Sequence, residues 1–458
     1  MSKNNWIKVL KYSRNRLGKI SSSTDPNIRS EFQRDFDRIV FSSAFRRLQN
    51  KTQVLPFPRS DYVRNRLTHS LETASVGRSL GNIVGMKIIN KYPEIKQELK
   101  ISSFDFGYMV TAACLAHDIG NPPFGHSGEA AVNSFFKSKK AKKFIKSLSS
   151  KEIADLQNFE GNSAGFRILS KTLESQSNSY GGLRLTFGTY GSFTKYPKEV
   201  LPDRTNENKA SLKKYGIFQS EIDTFKDIAS ELSLDLHDNN DKDFAWKRFP
   251  LAFLVEAADD ICYHIIDFED GFNIDLIPFE EISEKFTSIL DCINRTDYQK
   301  KLNGIIEKRS KITYLRSIVI NDLIFCLSEV FLDKEKNILN GTFDTPLLDC
   351  LDSKITEYLN EIICSSKINI YESNTVLKIE SAGFKVIPFL LNIFIKAQLT
   401  NQNYEGKKHI LRLLPNQYKS NGNNYEKILN VTMFITSMTD RFAVELYKNL
   451  NGIELAGY

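Results

Sequence analysis

LAHDIGNPPFGHSGE, Leu115 to Glu129, decides how the rest of the chain is read. It sets His117, Asp118, His126 and Glu129 around the break GNPPFG, Gly120 to Gly125. An adjacent His and Asp at the end of an apolar run offers a metal one nitrogen and one oxygen. Pro122 and Pro123 forbid continuation of a helix, and the glycines permit a sharp turn. His126 and Glu129 follow at i,i+3, a spacing that puts both on one face of a new helix. Any one of the four reads as a solvated polar residue at a helix end. All four together, beside a rigid turn, read as a metal site with an adjacent acid/base pair.

Working outward, Phe104 to Ala116 predicts an apolar helix that delivers His117 and Asp118 at its end. A second helix runs from near Leu67 towards Asn90, with His69 in its first turn. Arg29 to Thr52 predicts one or two amphipathic helices, with Phe32, Phe36, Ile39 and Val40 on an apolar stripe. Gln53 to Arg66 is a loop broken by Pro56 and Pro58, and residues 1 to 30 form a polar lead-in. Lys137 to Lys151 is basic and reads as a solvated helix face or an insertion. Phe159 to Glu174 and the aromatic, Gly-rich stretch Gly181 to Pro197 follow, then a polar linker from His237 to Asp243. Phe249 to Phe268 is another long apolar helix, and Ile277 to Tyr458 alternates apolar periodic runs with polar loops. The expected fold is mainly α, with few or no strands. Its expected division is a lead-in over 1–28, a catalytic core over 29–275, and a helical C-terminal region over 276–458 carrying substrate and oligomer contacts.

Of the 458 residues, 41% are hydrophobic and 26% charged, an ordinary globular balance. No run approaches the roughly 20 apolar residues of a membrane span, and the first residues lack a signal-like apolar region. Six scattered cysteines without a CxxC pair argue against a zinc ribbon or disulfide framework. A cytoplasmic protein without membrane partners is the expectation. The net charge of +7 suits anionic partners but is a weak pointer.

A metal that activates water needs further ligands and open positions. Of the remaining histidines, His237 and His409 lie in polar stretches and read as surface residues, and His264 reads as a satisfied core histidine. His69 is the best third ligand, because Arg64 and Arg66 just upstream suit a polyanionic substrate. In VEAADDICYHIIDFEDG, Asp259, Tyr263 and Asp267 fall at i, i+4, i+8 on one face of an apolar helix. Such acids either surface and pair with Arg or Lys, or hold a cation; for Asp259 the metal reading is preferred. Asp267 is about 12 Å further along the axis, too far to share the ion. It is left for a substrate hydroxyl, with Tyr263 packed on the sugar.

His69 … His117-Asp118 … Asp259 resembles the H…HD…D signature of the HD-domain metal-dependent phosphohydrolases. RRLQNKTQV (Arg46 to Val54), RNRLTHSLE (Arg64 to Glu72), HDIGNPPFGHSGE, LTFGTYGSFTKYP, EAADDICY and SMTDRFAVELYKNLNG (Ser437 to Gly452) resemble, more specifically, the deoxyguanosinetriphosphate triphosphohydrolase family. The likeness runs from about Arg29 to the C-terminus. It implies an HD-domain helical core elaborated by additional helices, and a metal held by His69, His117, Asp118 and Asp259. It implies His126 and Glu129 as the catalytic pair, with attack of water or hydroxide on the α-phosphorus of dGTP releasing tripolyphosphate. By the same resemblance Arg66 and Lys195 hold phosphate oxygens, while Gln53, Tyr263 and Asp267 surround the deoxyribose. Asn121 stands where many members have His, so no role of a His there carries over. The metal stays open among Mn2+, Mg2+ and Fe2+, and the family suggests a homo-oligomer, often hexameric.

A competing reading is a nucleic-acid-binding regulator on an HD scaffold, or single-stranded DNA as a modulator, motivated by the basic Lys137 to Lys151 segment. The complete ligand set weighs against a purely binding role. Another alternative is an HD enzyme acting on other nucleotides. Base choice is expected in the C-terminal half, around Lys378 to Phe394 or Asn430 to Arg441.

Overall fold

Two helices that carry site residues lie closer together than ordinary side chains would allow. Helix Arg66–Lys91 packs along helix Ser103–Ala116 in the most extensive helix pair of the molecule. A Cβ on Gly81 would stand 2.8 Å from the Gly107 Cα, and one on Gly85 2.7 Å from the Ser103 carbonyl oxygen. Only hydrogen fits at these two positions, so they set the spacing of the pair. Helix Arg66–Lys91 starts on a reciprocal cap: Asn65 Oδ1 accepts from Thr68 N, and Thr68 Oγ1 accepts from Asn65 N, both at 3.0 Å. Helix Ser103–Ala116 is buried over most of its length and ends where the sequence stops it, before Pro122 and Pro123.

The computed structural model describes residues 2–10, 14–16, 19–21, 29–54, 63–171, 182–200, 209–237, 243–402 and 405–453. Pro56 and Pro58, and most of the polar linker after His237, lie outside them. The fold is mainly α, as expected. Arg14–Arg16 and Lys19–Ser21, paired antiparallel, are the only strands among the described residues. The amphipathic run before Thr52 forms helices Glu31–Val40 and Ser43–Arg47.

The apolar stretch Phe249 to Phe268 is not one α-helix. It is helix Ala252–Ile261, a π-turn Cys262–Ile266, and helix Asp267–Asn273. Helix Ala252–Ile261 lies against both glycine-spaced helices and closes the third side of the site. The polar lead-in also differs from its reading. It contains helix Ser2–Val9, whose Trp6 is fully buried, lies tilted against Phe106 with ring centroids 5.6 Å apart, and donates from Nε1 to Glu335 Oε1 at 2.8 Å. Two helical turns around one aromatic anchor are too short to show a period.

Apolar side chains gather in two cores. The first surrounds the glycine-spaced pair and takes in helices Phe279–Cys292, Lys308–Asp333 and Ser353–Ser366. The second joins helix Gly125–Lys137, which carries His126 and Glu129, to the C-terminal helices Asn374–Leu399, Asn424–Thr436 and Asp440–Leu450. Val376–Leu399 is long and apolar enough on average to cross a membrane, although Lys378, Glu380, Lys385 and Lys396 interrupt it; here it packs on Gly125–Lys137 and Asn424–Thr436. Lys139, Lys140, Lys142, Lys143 and Lys146 are exposed around buried Ala141, Phe144 and Ile145, the solvated face expected of the basic segment.

Candidate metal centre and catalytic pair

The candidate ligands arrive from three directions. His69 comes from the first turn of Arg66–Lys91, His117 and Asp118 from the end of Ser103–Ala116, and Asp259 from the last turn of Ala252–Ile261. Ligand atoms of His69, His117 and Asp118 lie within 4.8 Å of one another. Asp259 joins through both imidazoles, its Oδ1 standing 3.3 Å from His69 Nε2 and 3.3 Å from His117 Nε2. Nitrogen and oxygen ligands about 2.1 Å from one ion, at angles near 90° to 110°, stand roughly 3 to 3.5 Å apart. The two 3.3 Å approaches of Asp259, and the 3.5 Å between His117 Nε2 and Asp118 Oδ1, fall in that range.

His117 Nδ1 lies 2.6 Å from the Cys114 carbonyl and donates to it, which leaves Nε2 as the lone-pair nitrogen. That Nε2 is buried, has no hydrogen-bond partner, and faces two carboxylates. A buried orphan nitrogen beside paired acids fits a cation. Burial lowers the pKa of His117, but Asp118 and Asp259 outweigh it and hold it above the ordinary value. The same field favours any positive charge at Nε2. Burial opposes ionisation of Asp118, yet Arg66, His117 and His69 keep its pKa below the usual carboxylate range. For Asp259 burial is overcome by Lys195 and His117.

The two phosphate candidates are tied to these ligands. Arg66 Nη1 donates to Asp118 Oδ2 at 2.6 Å, and Lys195 Nζ donates to Asp259 Oδ2. Lys195 is placed through its own backbone: Arg248 Nε donates to the Lys195 carbonyl at 2.7 Å while its guanidinium forks onto Glu256. Arg64, read as facing a polyanion, is instead consumed by Glu72, Glu269 and Asp270. It anchors the entry to helix Arg66–Lys91 and leaves Arg66 alone at the site.

His126 Nδ1 lies 2.9 Å from Glu129 Oε2, and Glu129 Oε1 accepts from Gly161 N at 2.7 Å. The imidazole is 80% exposed and Glu129 is buried, so the ring is presented to a ligand from a fixed carboxylate. Burial raises the Glu129 pKa, but the bond to His126 and its charge prevail and lower it.

A cavity of about 580 Å³ joins these groups. His69, His117, Asp118, Asp259, His126, Glu129, Gln53, Arg66, Lys195 and Tyr263 all line it, and Gln53 Oε1 is buried without a partner. Asp267 does not line it. It is buried behind Tyr371, whose hydroxyl donates to Asp267 Oδ2 at 2.7 Å, and burial pushes its pKa up to about 7. Tyr371 also stacks on Tyr263 at 5.7 Å and 6°. Sequence reasoning missed Tyr371, which sits in a second π-turn, Lys367–Tyr371, with no motif to mark it. It also missed Lys214, a lining cation 3.2 Å from Glu160 Oε2.

Two histidines differ from their readings. His264 is half-buried with Nδ1 unpartnered, and burial pushes its pKa down to about 4. His237 is a contact residue, not a surface one: its Nε2 is 2.9 Å from Ser211 Oγ. His409 is exposed, as expected.

The HD domain family model matches residues 66–179. Over 457 residues, 98% of this chain and 100% of the relative, the sequence is 41% identical to a deoxyguanosinetriphosphate triphosphohydrolase-like protein of Synechocystis sp.. The chain belongs to the deoxyguanosinetriphosphate triphosphohydrolase-like family of HD-domain proteins. A Pseudomonas aeruginosa member is 36% identical over 455 residues, 98% of each chain. A deoxyguanosinetriphosphate triphosphohydrolase of Yersinia enterocolitica is 28% identical over 517 aligned positions, 96% of this chain and 97% of that one. By this membership the chain is a metal-dependent hydrolase. The HD match spans His69, His117, Asp118, His126 and Glu129 and stops short of Asp259, so the fourth ligand candidate rests on its 3.3 Å approach to both imidazoles.

Proposed function

We propose that this chain is a deoxynucleoside triphosphate triphosphohydrolase that converts dGTP and water to deoxyguanosine and tripolyphosphate. The reading is carried by one observation: a single cavity joins the His69, His117, Asp118 and Asp259 cluster, the His126–Glu129 pair, and the cations Arg66 and Lys195. His69, His117, Asp118 and Asp259 would hold Mn2+, Mg2+ or Fe2+, which when bound lowers the pKa of a water and polarises a phosphoryl oxygen.

The remaining steps belong to the protein. Arg66 and Lys195, with Lys214, which also lines the cavity, neutralise the triphosphate and fix the α-phosphorus beside the ligand cluster. His126 gives a proton or hydrogen bond to the leaving side, and Glu129 holds the ring in the orientation that allows it. Gln53 and Tyr263 pack around the deoxyribose, with Tyr263 where a 2′-hydroxyl would clash. Asp267 serves the 3′-hydroxyl once the Tyr371 hydroxyl gives way.

The test is a metal-supplemented hydrolysis screen of the four dNTPs and GTP with product identification. Tripolyphosphate and deoxynucleoside are expected, fastest from dGTP and slow from GTP. Release of pyrophosphate or orthophosphate would overturn the reaction assignment, and equal use of GTP would overturn the sugar assignment.

A further inference from the structure

The closing motif SMTDRFAVELYKNLNG lies far from the ligands in sequence, and nothing in the reaction above uses it. The structure brings its Asp440 to the back of the site. Asp440 is 3% exposed, and its two oxygens serve two different segments. Oδ2 accepts from Thr52 N at 2.9 Å and from Thr52 Oγ1, next to Gln53. Oδ1 accepts from Phe124 N at 3.0 Å.

Phe124 is the residue before helix Gly125–Lys137, and its φ of 65° lies in the left-handed region that side chains avoid. A strained residue there persists only when its surroundings over-determine it. Its amide is held by Asp440, and its ring packs where a Cβ on Gly383 would be 3.1 Å away. A second stitch runs alongside: Lys51, also 3% exposed, donates from Nζ to the carbonyls of Asn121 and Thr436. Phe124 sets the direction in which His126 and Glu129 leave the turn, two and five residues later.

We propose that Asp440 is a positioning residue for the hydrolysis, its carboxylate locking the Phe124 turn before His126 to the Thr52–Gln53 segment, so that the C-terminal segment completes the active site. This rests on the functional reading above only for the role of His126. The ligand cluster is built on other helices, so the lock governs turnover and not metal binding.

Asp440→Asn tests it on the full-length protein. Asparagine offers an oxygen to one side only and sets its NH2 against the donors of the other. Expected are a kcat for dGTP at least tenfold lower with KM within about threefold, Mn2+ affinity by calorimetry equal to wild type, and faster hydrogen exchange confined to residues 121–130. A kcat within twofold of wild type, or Mn2+ affinity falling in step with kcat, would overturn the proposal. Thr52→Val, which removes one of the three bonds, should lower kcat in the same selective way; wild-type turnover there would also count against the lock. If the wild type releases no tripolyphosphate, the functional reading fails, and the lock is judged on exchange and Mn2+ affinity alone.

Discussion

The candidate ligand cluster and the proposed catalytic pair face one cavity but are held by different parts of the molecule. His69, His117, Asp118 and Asp259 stand on three helices of the first core, fixed by the Gly81 and Gly85 approach and by interior ion pairs. His126 and Glu129 leave a Pro-Gly turn that belongs to the second core, and the turn is tied to Asp440 and Thr436 near the C-terminus. On the proposed roles, the ligand positions follow from helix packing, whereas His126 is placed by a turn tied to the C-terminal segment. Metal binding and turnover are therefore expected to be separable.

The largest expected effect comes from the ligand side. Asp118→Ala removes a ligand and strands the Arg66 guanidinium in the interior. A buried pair broken on one side costs about 3–5 kcal/mol, so urea denaturation should move by that much while hydrolysis falls to background. Unchanged stability would mean that Arg66 finds water or another partner.

On the other side of the comparison, His126→Ala should lower kcat by roughly 10²- to 10⁴-fold, the usual range for a positioned acid. Mn2+ stoichiometry should stay at wild type, and stability should fall less than in Asp118→Ala, because the lost partner of buried Glu129 is an exposed ring and Gly161 N still donates to that carboxylate. Loss of metal with the activity would break the division between the two regions.

A pH dependence is expected in the second core. Asp155 is fully buried, and burial pushes its carboxyl up to about 8, against hydrogen bonds from Gln219 N and the Tyr425 hydroxyl. In the unfolded chain it ionises near the ordinary value of about 3.9. Between those values the folded state keeps a proton that the unfolded state has released. Its contribution to stability is full below about pH 4 and lost as pH rises through about 8. Asp155→Asn should flatten that alkaline loss in urea midpoints compared at pH 5 and pH 8, with a change of under about 1 kcal/mol at pH 5. A wild-type slope in the variant would assign the loss to other groups.

The helical class and the positions of His69, His117 and Asp118 were legible because long apolar periods, a Pro-Pro stop and a capped start are local signals. Asp259 was legible as an acid on an apolar helix, but the π-turn after it was not, since one residue of extra winding leaves no mark on composition. Arg64 misled because a cation near a site reads the same whether it meets phosphate or carboxylates from residues two hundred positions away. Tyr371, Lys214 and the Asp440 lock are long-range arrangements of residues that look ordinary in isolation. Trp6 shows the opposite failure, an aromatic in a polar segment whose burial depends wholly on its distant partners Phe106 and Glu335.

The convergence on a single cation is tested most directly by anomalous diffraction from crystals grown with Mn2+. The account predicts one manganese peak within about 2.3 Å of His69, His117, Asp118 and Asp259. A peak bound elsewhere, or one that leaves Asp259 on Lys195 and out of reach of the ion, would contradict it.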